Sequence, residues 1–461
     1  MPVGVADFAC VEGKTGIRFK PGHVRPASLR LGPYFFITDL EIDMSVQAAR
    51  DSESNSSQVL PGEMVIDFFN ADLVAGNTAA GTWLSADVNG DGFAELVQAS
   101  PSDSLTLTVL GQPSPPNPSS RVVNLTPDPS TDQGAGFAAW LVGDVVGNNS
   151  DQVIQIWPHG SSSPLGINVF SWSKAESKMT TLSSQSNFNQ DQGGSWFIGD
   201  VNGDGHDELV QIFNNGNLAS NTYGWNADLE PQPGLVNLAP QSNLGQGFYN
   251  PQVVLLGDIN GDGTAELVQL WNNGQSVKVA VYGWKAKPTG FAMLGPATPL
   301  LNQQFYNNGN WLIGDINHDG RDEIVEAYSD DGYVKFVVYG LVDGALVALS
   351  DKAPNAKQGF PTGGAPWLLG DLKGDGHLVV IQPFESGSQL AFNVYKWDES
   401  DLEMKVICSG PIGTITGLWR GTTMAVGNVL IANKDEVWQP WAADEGLGLT
   451  SYAYSQIGEE P

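Results

Sequence analysis

The phrase GDVNGDGHDELVQ, residues 199–211, recurs in similar form at even intervals along the chain. The phrase sets Asp and Asn side chains around glycines and then continues into a short apolar run. This pattern is typical of a tight loop that leads into a β-strand. The loops of the seven copies begin at Asp87, Asp144, Asp200, Asp258, Asp315, Asp371 and Asn428. These positions are 56 to 58 residues apart, so the chain contains a regular repeat.

Each copy has room for four short strands. One apolar run precedes the loop and a second follows it directly. A third run, such as VKVAVYGW at 277–284, follows an Asn-Gly or Asp-Gly turn signal, which favours a hairpin because both central turn residues need a positive φ. A fourth run, such as GLVNLA at 234–239, completes the unit. Four antiparallel strands in each of seven copies predict an all-β, seven-bladed β-propeller.

The two ends of the repeat region predict how the ring closes. The last copy stops after its third run, whereas residues 63–69 have the pattern of a fourth run and precede the first copy. This N-terminal strand is predicted to supply the outer strand of the last blade, which removes exposed sheet edges. The predicted organisation is an N-terminal extension and linker at 1–62, followed by the propeller at 63–461.

The loops have the spacing of a divalent-cation site. In four copies the phrase is D-x-N-x-D-G-x-x-E, with oxygen side chains at positions 1, 3, 5 and 9 and Gly at position 6. Calcium accepts six to eight oxygens in a flexible shell, and such a loop can also offer a backbone carbonyl from position 7. A plain turn is the alternative for any single copy. About four structural Ca²⁺ ions are predicted, held by Asp87, Asn89, Asp91, Glu95, Asp200, Asn202, Asp204, Glu208, Asp258, Asn260, Asp262, Glu266, Asp315, Asn317, Asp319 and Glu323.

Three copies lack the complete ligand set. Position 3 is Val146 in the second copy, Lys373 in the sixth and Leu430 in the seventh, and Lys373 is expected to place its ammonium group at the ion site. Residues 315–326 also satisfy the EF-hand formula, but the other copies do not have Glu at the twelfth place and strands are predicted on both sides. We interpret that match as accidental.

The repeat resembles a known family. The phrases GDVNGDGHDELVQ and GDINGDGTAELVQ look like the FG-GAP repeats of integrin α-subunit propellers and of related bacterial and fungal proteins, and the resemblance covers residues 63–461. It implies calcium loops between the first and second strands on a lower face and an upper face left for ligands. Seven-bladed calcium-binding fungal lectins are similar in period and in metal loops. In place of the Phe-Gly opening, five copies have W-x-x-x-D, with Trp83, Trp140, Trp196, Trp311 and Trp367.

Aromatic residues recur 13 positions after the loop starts, where strand alternation places them beside the upper face. Aromatic rings cover the apolar C–H patches of a sugar, and nearby amides bind hydroxyls without needing charge. Packing between blades is the alternative for these rings. The predicted ligand-binding residues are Trp157, Phe213, Trp271, Tyr328, Phe384 and Trp441.

A second ring of residues lies 11 positions after each loop start. It consists of Gln98, Gln155, Gln211, Gln269, Glu326, Gln382 and Gln439. An amide repeated in mid-strand is predicted to form buried hydrogen bonds between blades, with sugar binding as the alternative. Loops that open on the same face contain Asp132–Gly134, Asp191–Gly193, Gly245–Gly247 and Lys357–Gly359.

The net charge of the chain limits the classes of partner that it can bind. The chain has 51 Asp and Glu against 21 Lys and Arg, a net charge of −30, which repels nucleic acid and anionic membrane surfaces. No apolar run approaches the roughly 20 residues that span a bilayer. We therefore predict no nucleic-acid partner and no membrane insertion. No signal peptide is visible, yet a lectin-like role leads us to expect an extracellular site of action.

The leading prediction is a calcium-stabilised, carbohydrate-binding module, lectin-like or adhesive, with glycans or glycoproteins as partners and multivalency through its repeated blades. The alternative is a protein–protein or receptor-binding module of a toxin or larger assembly, which the basic N-terminal extension favours as a protein-binding segment. A carbohydrate-active lyase or hydrolase is the least favoured. Only His23 and His159 lie outside the repeat loops for acid–base work, and no G-x-S-x-G motif is present.

Overall fold

The computed structural model divides the chain into two compact units, Met1–Ser52 and Glu53–Pro461. In the first unit, β1 (Ala9–Val11) pairs antiparallel with β2 (Lys14–Gly16). Most of the predicted extension at 1–62 lies outside the described residues. The structure describes residues 9–11, 14–16, 62–75, 81–101, 105–113, 122–126, 139–158, 165–188, 194–274, 276–287, 289–300, 304–306, 309–354, 358–360, 366–387, 389–416, 424–442 and 446–456.

In the second unit, the described residues begin with β3 (Gly62–Ala75). They form seven antiparallel sheets, numbered here as blades 1 to 7. Blade 1 contains β4 (Thr82–Ala86), β5 (Glu95–Pro101), β6 (Leu105–Gly111) and β7 (Val123–Asn124). Blade 2 contains β8 (Ala139–Gly143), β9 (Gln152–Pro158), β10 (Leu165–Ser173) and β11 (Lys178–Phe188). Blade 3 contains β12 (Ser195–Gly199), β13 (Glu208–Asn214), β14 (Leu218–Asn226) and β15 (Gly234–Asn243).

Blade 4 contains β16 (Gln252–Gly257), β17 (Glu266–Asn272), β18 (Val277–Ala286) and β19 (Thr289–Met293), and the short β20 (Thr298–Leu300) also pairs with β18. Blade 5 contains β21 (Asn310–Gly314), β22 (Glu323–Asp330), β23 (Tyr333–Val342) and β24 (Ala345–Lys352). Blade 6 contains β25 (Leu368–Gly370), β26 (Val379–Ser386), β27 (Gln389–Asp398) and β28 (Glu403–Thr416). Blade 7 contains β29 (Ala425–Ile431), β30 (Lys434–Ala442), β31 (Gly446–Gln456) and β3.

This arrangement confirms the predicted all-β, seven-bladed β-propeller with four-stranded antiparallel blades. Blades 1 to 6 run in chain order from the first to the fourth strand, whereas in blade 7 the N-terminal strand β3 lies beside β31. No helix occurs in the described ranges, and none of their segments is a helix that could cross a membrane.

The N-terminal strand β3 is the partner of β31. Glu63 lies opposite Ser455, Met64 opposite Tyr454 and Val65 opposite Ala453. The side chains from Ile66 onward in this strand lie outside the described residues, so closure of the ring by 63–69 stays a prediction for that part.

The hydrophobic core lies between neighbouring blades. In the cluster between blades 3 and 4, Val210 and Leu218 of one sheet pack with Leu267 and Tyr282 of the next. Because both faces of an inner strand are covered, β13 and β17 have apolar residues at consecutive positions instead of a simple alternation. The packing of adjacent sheets therefore holds each blade at a fixed position in the ring.

Hairpin turns join the second and third strands as predicted. Between β22 and β23, Asp331 and Gly332 have φ values of 49° and 82°. Two consecutive positive φ values are what a two-residue type I′ turn requires, and Asp-Gly is among the pairs that adopt them most easily. This turn brings Tyr333 opposite Asp330.

Candidate functional site

The two ends of each blade carry different chemistry. The acidic loops join the first strand to the second, next to pairs such as Gly199 and Glu208. At the other end of the same strands, Ser195 lies opposite Ile212. We call the end with the acidic loops the lower face and the opposite end the upper face.

In each complete acidic loop, the Asp at position 1 organises the backbone. Oδ1 of Asp87 accepts the backbone N–H groups of Gly90 and Asp91 at 2.8 and 3.1 Å, and Oδ2 accepts that of Gly92 at 2.9 Å. Asp258 binds the equivalent three amides of its own loop. This carboxylate therefore shapes the loop, as the turn interpretation predicts, and its oxygens retain lone pairs for a cation.

Two loop positions need a left-handed backbone. Gly90 and Gly92, at positions 4 and 6 of the first loop, have φ values of 71° and 89°. His318 takes position 4 in the fifth loop with a φ of 60°, and Asn149 takes position 6 in the second loop with a φ of 59°. The motif explained Gly at position 6, whereas the requirement at position 4 was missed.

The Glu at position 9 is the most buried polar side chain of each complete loop. Oε1 of Glu95 accepts the side-chain amide of Asn89 at 2.5 Å, and the matching bonds in the other three loops measure 2.5, 2.6 and 2.8 Å. Oε2 has no hydrogen-bond partner in Glu95, Glu266 and Glu323, whereas Oε2 of Glu208 accepts the N–H of Val201 at 3.2 Å. In three loops Oε2 is thus buried without a hydrogen bond of normal geometry, although the backbone N–H of Val88, Ile259 or Ile316 still acts on the carboxyl group and lowers its pKa.

Burial and the neighbouring carboxylates raise the pKa of these glutamates, because both disfavour their negative charge. Burial and the neighbouring Asp91 raise the pKa of Glu95 to about 9. Burial and Asp204 raise the pKa of Glu208 to about 8, and burial likewise raises the pKa of Glu323 to about 8 and that of Glu266 to about 7. In the described part of the chain, no three His, Cys, Asp or Glu side chains converge on a point that could hold a metal ion.

In the second and sixth loops, which are incomplete, other groups of the protein pair with the polar side chains. In the second loop, Gln152 replaces Glu; its oxygen accepts the N–H of Val146 at 3.0 Å, and its amide donates to the carbonyl of Ser150 at 2.6 Å. In the sixth loop, Nζ of Lys396 lies 2.8 Å from Oδ2 of Asp375. The expectation for Lys373 was wrong, because its ammonium lies over the ring of Tyr454, 5.5 Å from the centroid.

An additional carboxylate links neighbouring blades. The backbone N–H of Asp87 donates to Oδ2 of Asp151 in the next blade at 2.9 Å. The same link joins Asp144 to Asp207, Asp258 to Asp322 and Asp371 to Asp435, at 2.7 to 2.9 Å. Sequence reasoning missed these residues, although Asp at position 8 in four of the seven copies was the available signal. At the other three junctions that position is Ala94, Ala265 or Leu378.

The ring of Gln98, Gln155, Gln211, Gln269, Glu326, Gln382 and Gln439 is buried, as predicted. Its hydrogen bonds, however, were expected between blades and instead include several across strands within a blade. Asn221 donates to Gln211 at 2.9 Å and Asn393 donates to Gln382 at 2.7 Å, each from the third strand to the second. Because every member is buried, the ring belongs to the interior of the blades.

The predicted ligand-binding aromatics fall into two groups. Phe213, Trp271 and Tyr328 are buried, at 5%, 2% and 2% exposure, and have no open ring face for a ligand. This corrects the expectation for those three, which pack in the core. Trp157, Phe384 and Trp441 are half-buried. The rings of Trp157 and Trp441 lie against Gly166 and Gly448 on the adjoining strand, and for these three residues ligand binding stays a prediction.

Two tyrosines cover buried members of that set. The ring of Tyr249 stacks on Trp271 with centroids 4.7 Å apart, and Tyr306 stacks on Tyr328 at 3.8 Å. Each tyrosine precedes the first strand of its blade, within the phrase Phe-Tyr-Asn at 248–250 and again at 305–307. That repeated phrase was the sequence signal for these residues.

A cavity of about 340 Å³ opens on the upper face between blades 3 and 4. Its wall from blade 3 consists of the start of β12 and the end of β13, and its wall from blade 4 is the segment that leads into β16. Phe248 is 39% exposed at this site. The lining residues are Gly194, Ser195, Ile212, Phe248, Tyr249, Asn250, Gln252 and Val254. The loop Gly245–Gly247 adjoins this segment, whereas Asp132–Gly134 and Asp191–Gly193 lie outside the described residues.

Hydrogen bonds hold the blade 4 wall of this cavity in place. Nε2 of Gln269 donates to the carbonyl of Gly247 at 3.0 Å and to Oε1 of Gln252 at 2.8 Å. The same oxygen of Gln252 accepts the N–H of Tyr249 at 3.1 Å. The cavity is therefore lined by a pre-ordered segment with an exposed aromatic ring and uncharged polar groups.

No family model matches this chain, and no curated protein sequence matches it. Among solved structures, the chain is similar to a lectin of Agrocybe aegerita that recognises non-reducing terminal N-acetylglucosamine. The identity is 16% and the TM-score is 0.48, and the match covers 82% of this chain and 86% of that chain. It is also similar to the Photorhabdus luminescens Tc holotoxin pore, at 14% identity and a TM-score of 0.40, with 78% of this chain and 17% of that chain covered. A rhamnogalacturonan lyase of Bacillus licheniformis matches at 13% identity and a TM-score of 0.40, over 85% and 75% of the two chains. These values are too low to transfer a function.

Proposed function

We propose that this protein is a recognition module that binds carbohydrate in the upper-face cavity between blades 3 and 4. The observation that carries the proposal is the lining of that cavity, where the exposed ring of Phe248 adjoins Ser195, Asn250 and Gln252, and where no lining residue is charged. An aromatic face covers the C–H side of a sugar ring, and hydroxyl and amide groups exchange hydrogen bonds with its hydroxyls.

The rigidity and size of the cavity support the same proposal. A volume of about 340 Å³ lies at the small end of the range for small-molecule sites. Because Gln269 and Gln252 fix the backbone of the segment before any ligand arrives, less conformational entropy is lost on binding. Multivalent binding is also part of the proposal, with the cavity between blades 3 and 4 as the strongest site and weaker sites of the same kind at other blade junctions. The proposal also assigns the protein a role in recognition and no catalytic role.

We also propose that the four complete acidic loops hold calcium, in an FG-GAP type of repeat. In the first loop, Asp87, Asp91 and Glu95 would hold the ion with Asn89 and a loop carbonyl. The support is the buried Oε2 of Glu95, Glu266 and Glu323 without a hydrogen bond of normal geometry, since an oxygen in that position stabilises a cation. When bound, calcium supplies positive charge that offsets the repulsion among the clustered carboxylates.

A glycan array tests the carbohydrate proposal. The calcium-loaded protein and its Phe248→Ala variant are applied in parallel, with Tyr333→Ala as the control because Tyr333 is an exposed aromatic outside the cavity, at 44% exposure. We expect wild type and Tyr333→Ala to bind a defined glycan and Phe248→Ala to lose that signal. Absence of binding by folded wild type would contradict the proposal and favour protein recognition, and turnover of the bound glycan would indicate a lyase or hydrolase.

Calcium stoichiometry tests the second proposal. Equilibrium dialysis is expected to show about four ions per chain in wild type and about three in Glu266→Gln, which makes the fourth loop resemble the second. Asp375→Asn is the matched control, because Lys396 of β27 already pairs with Asp375 and the sixth loop is not expected to hold an ion. A wild-type chain that binds no calcium, or equal binding by wild type and Glu266→Gln, would contradict the assignment.

A further inference from the structure

Glu326 is the one carboxylic acid in the buried ring of residues 11 positions after the loop starts. It lies on β22 with 0% exposure. Its Oε2 accepts the hydroxyl hydrogen of Tyr339 at 3.1 Å, and its Oε1 accepts the backbone N–H of Tyr306 at 3.2 Å. The six other members of the ring are glutamines, so blade 5 alone has an ionisable group at this position of the second strand.

The bond to Tyr306 ties an upper-face segment to this acid. The ring of Tyr306 stacks on Tyr328 with centroids 3.8 Å apart and planes within 10°. The N–H of Gly309 donates to the carbonyl of Tyr306 at 2.9 Å, and a Cβ on Gly309 would lie 3.1 Å from Oε1 of Glu326. The backbone of Tyr306 and that of Gly309 therefore both lie against the carboxyl group.

Blade 4 has the same arrangement with a neutral anchor. There Gln269 accepts the hydroxyl hydrogen of Tyr282 at 3.1 Å and donates to Gly247 and Gln252, and Tyr249 stacks on Trp271. The architecture of the two blades matches in the position of the anchor, the third-strand tyrosine and the stacked pair. The two anchors differ in two respects. Glu326 is ionisable and accepts the N–H of Tyr306 directly, whereas Gln269 is neutral and Gln252 accepts the N–H of Tyr249.

The surroundings of Glu326 disfavour a negative charge. Tyr339 faces it from β23, Asp351 from β24, Tyr306 from the upper segment, and Tyr328 follows two residues later on its own strand. Tyr328 donates its hydroxyl hydrogen to Asp351 at 3.2 Å, so the nearest further charge is also negative. Burial, followed by that aspartate, raises the pKa of Glu326 to about 8 in spite of its two hydrogen bonds. The nearby cation, Lys335, is paired with Asp330 at 2.8 Å.

We propose that Glu326 is a proton-linked anchor that holds the upper-face segment 304–306 in place when it is protonated and releases it as the pH rises. In the anchored state the acid stays neutral while its carbonyl oxygen accepts the N–H of Tyr306. When the proton leaves, hydration stabilises the buried carboxylate. Water reaches the carboxylate only if the segment moves away from it. The device acts on blade 5 and leaves the cavity segment of blade 4 unchanged, so it does not depend on the proposed carbohydrate site.

Hydrogen exchange measured by mass spectrometry tests this inference. Protection factors are calculated against the unfolded chain at each pH, for a peptide that contains Tyr306 and for one that contains Tyr249. In wild type we expect protection of the Tyr306 peptide to fall about tenfold per pH unit between pH 6 and 8 and then to level off. The Tyr249 peptide is expected to show no such change, and neither peptide should change in Glu326→Gln.

The reciprocal variant keeps the test decisive if Glu326→Gln does not fold. Gln269→Glu transfers the acid to blade 4 and is expected to make the Tyr249 peptide pH-dependent in the same range. Equal pH profiles in wild type and Glu326→Gln would overturn the proposal. A flat profile for the Tyr306 peptide in wild type would overturn it as well.

Discussion

Replacing Trp271 by alanine separates a packing role from a ligand-binding role for the upper-face aromatics. The indole is 2% exposed and packs in the cluster between blades 3 and 4, where Leu218, Leu267 and Tyr282 also lie. It stacks on Tyr249 at 4.7 Å. Removal of so large a buried ring leaves a cavity and forfeits the stack, and the expected loss in the free energy of unfolding is about 3–5 kcal/mol.

Urea denaturation followed by circular dichroism measures this loss. The midpoint is expected to fall while the slope with denaturant stays the same, since the substitution changes stability and not the surface exposed on unfolding. Trp271→Phe retains an aromatic face for Tyr249 and is expected to cost about 1–2 kcal/mol. Tyr333→Ala, at an exposed aromatic, is expected to change stability by no more than about 0.5 kcal/mol.

The same variants distinguish the two explanations. A loss of less than about 1 kcal/mol in Trp271→Ala, with an unchanged denaturant slope, would refute the assignment of this ring to the core. Full stability together with lost glycan binding would restore Trp271 as a ligand-contacting residue.

The remaining predictions concern backbone, blade junctions and pH. Gly194 has a φ of +114° and a Cβ there would lie 2.2 Å from the carbonyl oxygen of Ile212, so Gly194→Ala should cost about 2 kcal/mol or more in urea denaturation and close the cavity. Gly216→Ala, with a φ of +79° and open space, should cost about 1 kcal/mol. Asp322→Ala removes the acceptor of an inter-blade bond and should cost about 1–3 kcal/mol in the same assay, and no loss would refute that role. Burial raises the pKa of Glu326 to about 8 from 4.5, so its contribution to stability is complete below pH 4.5 and is lost as the pH rises toward 8. Wild type should lose about 3 kcal/mol relative to Glu326→Gln between pH 6 and 9 in chemical denaturation, and a constant difference would contradict this.

The blade architecture was predictable because it follows from local patterns repeated seven times. The acidic loops mark where the first strand ends, and turns such as Asp331-Gly332 mark where the third begins, so strand order within a blade required no long-range information. The residues that pack against a given side chain were harder to predict from the sequence. Strand alternation correctly grouped Trp271 with the upper end of its strand, but alternation does not tell whether another residue covers that end.

The candidate site depends on such covering residues. Tyr249 and Phe248 belong to an irregular segment before β16, where side-chain direction is set by tertiary hydrogen bonds from Gln269 and not by a period of two. The inter-blade carboxylates were missed for a similar reason, since Asp151 accepts a bond from a loop one repeat earlier. Local motifs predicted the loops, whereas contacts between repeats could be read from the structure alone.

Calorimetric titration of an array-selected glycan into three proteins shows whether the cavity between blades 3 and 4 binds carbohydrate. We expect saturable binding by wild type, the same affinity in Tyr333→Ala, and at least a tenfold weaker affinity in Phe248→Ala, which corresponds to about 1.4 kcal/mol of lost contact with the ring. Equal affinity of wild type and folded Phe248→Ala would mean that the glycan is bound elsewhere on the molecule, and the assignment of this cavity would be wrong.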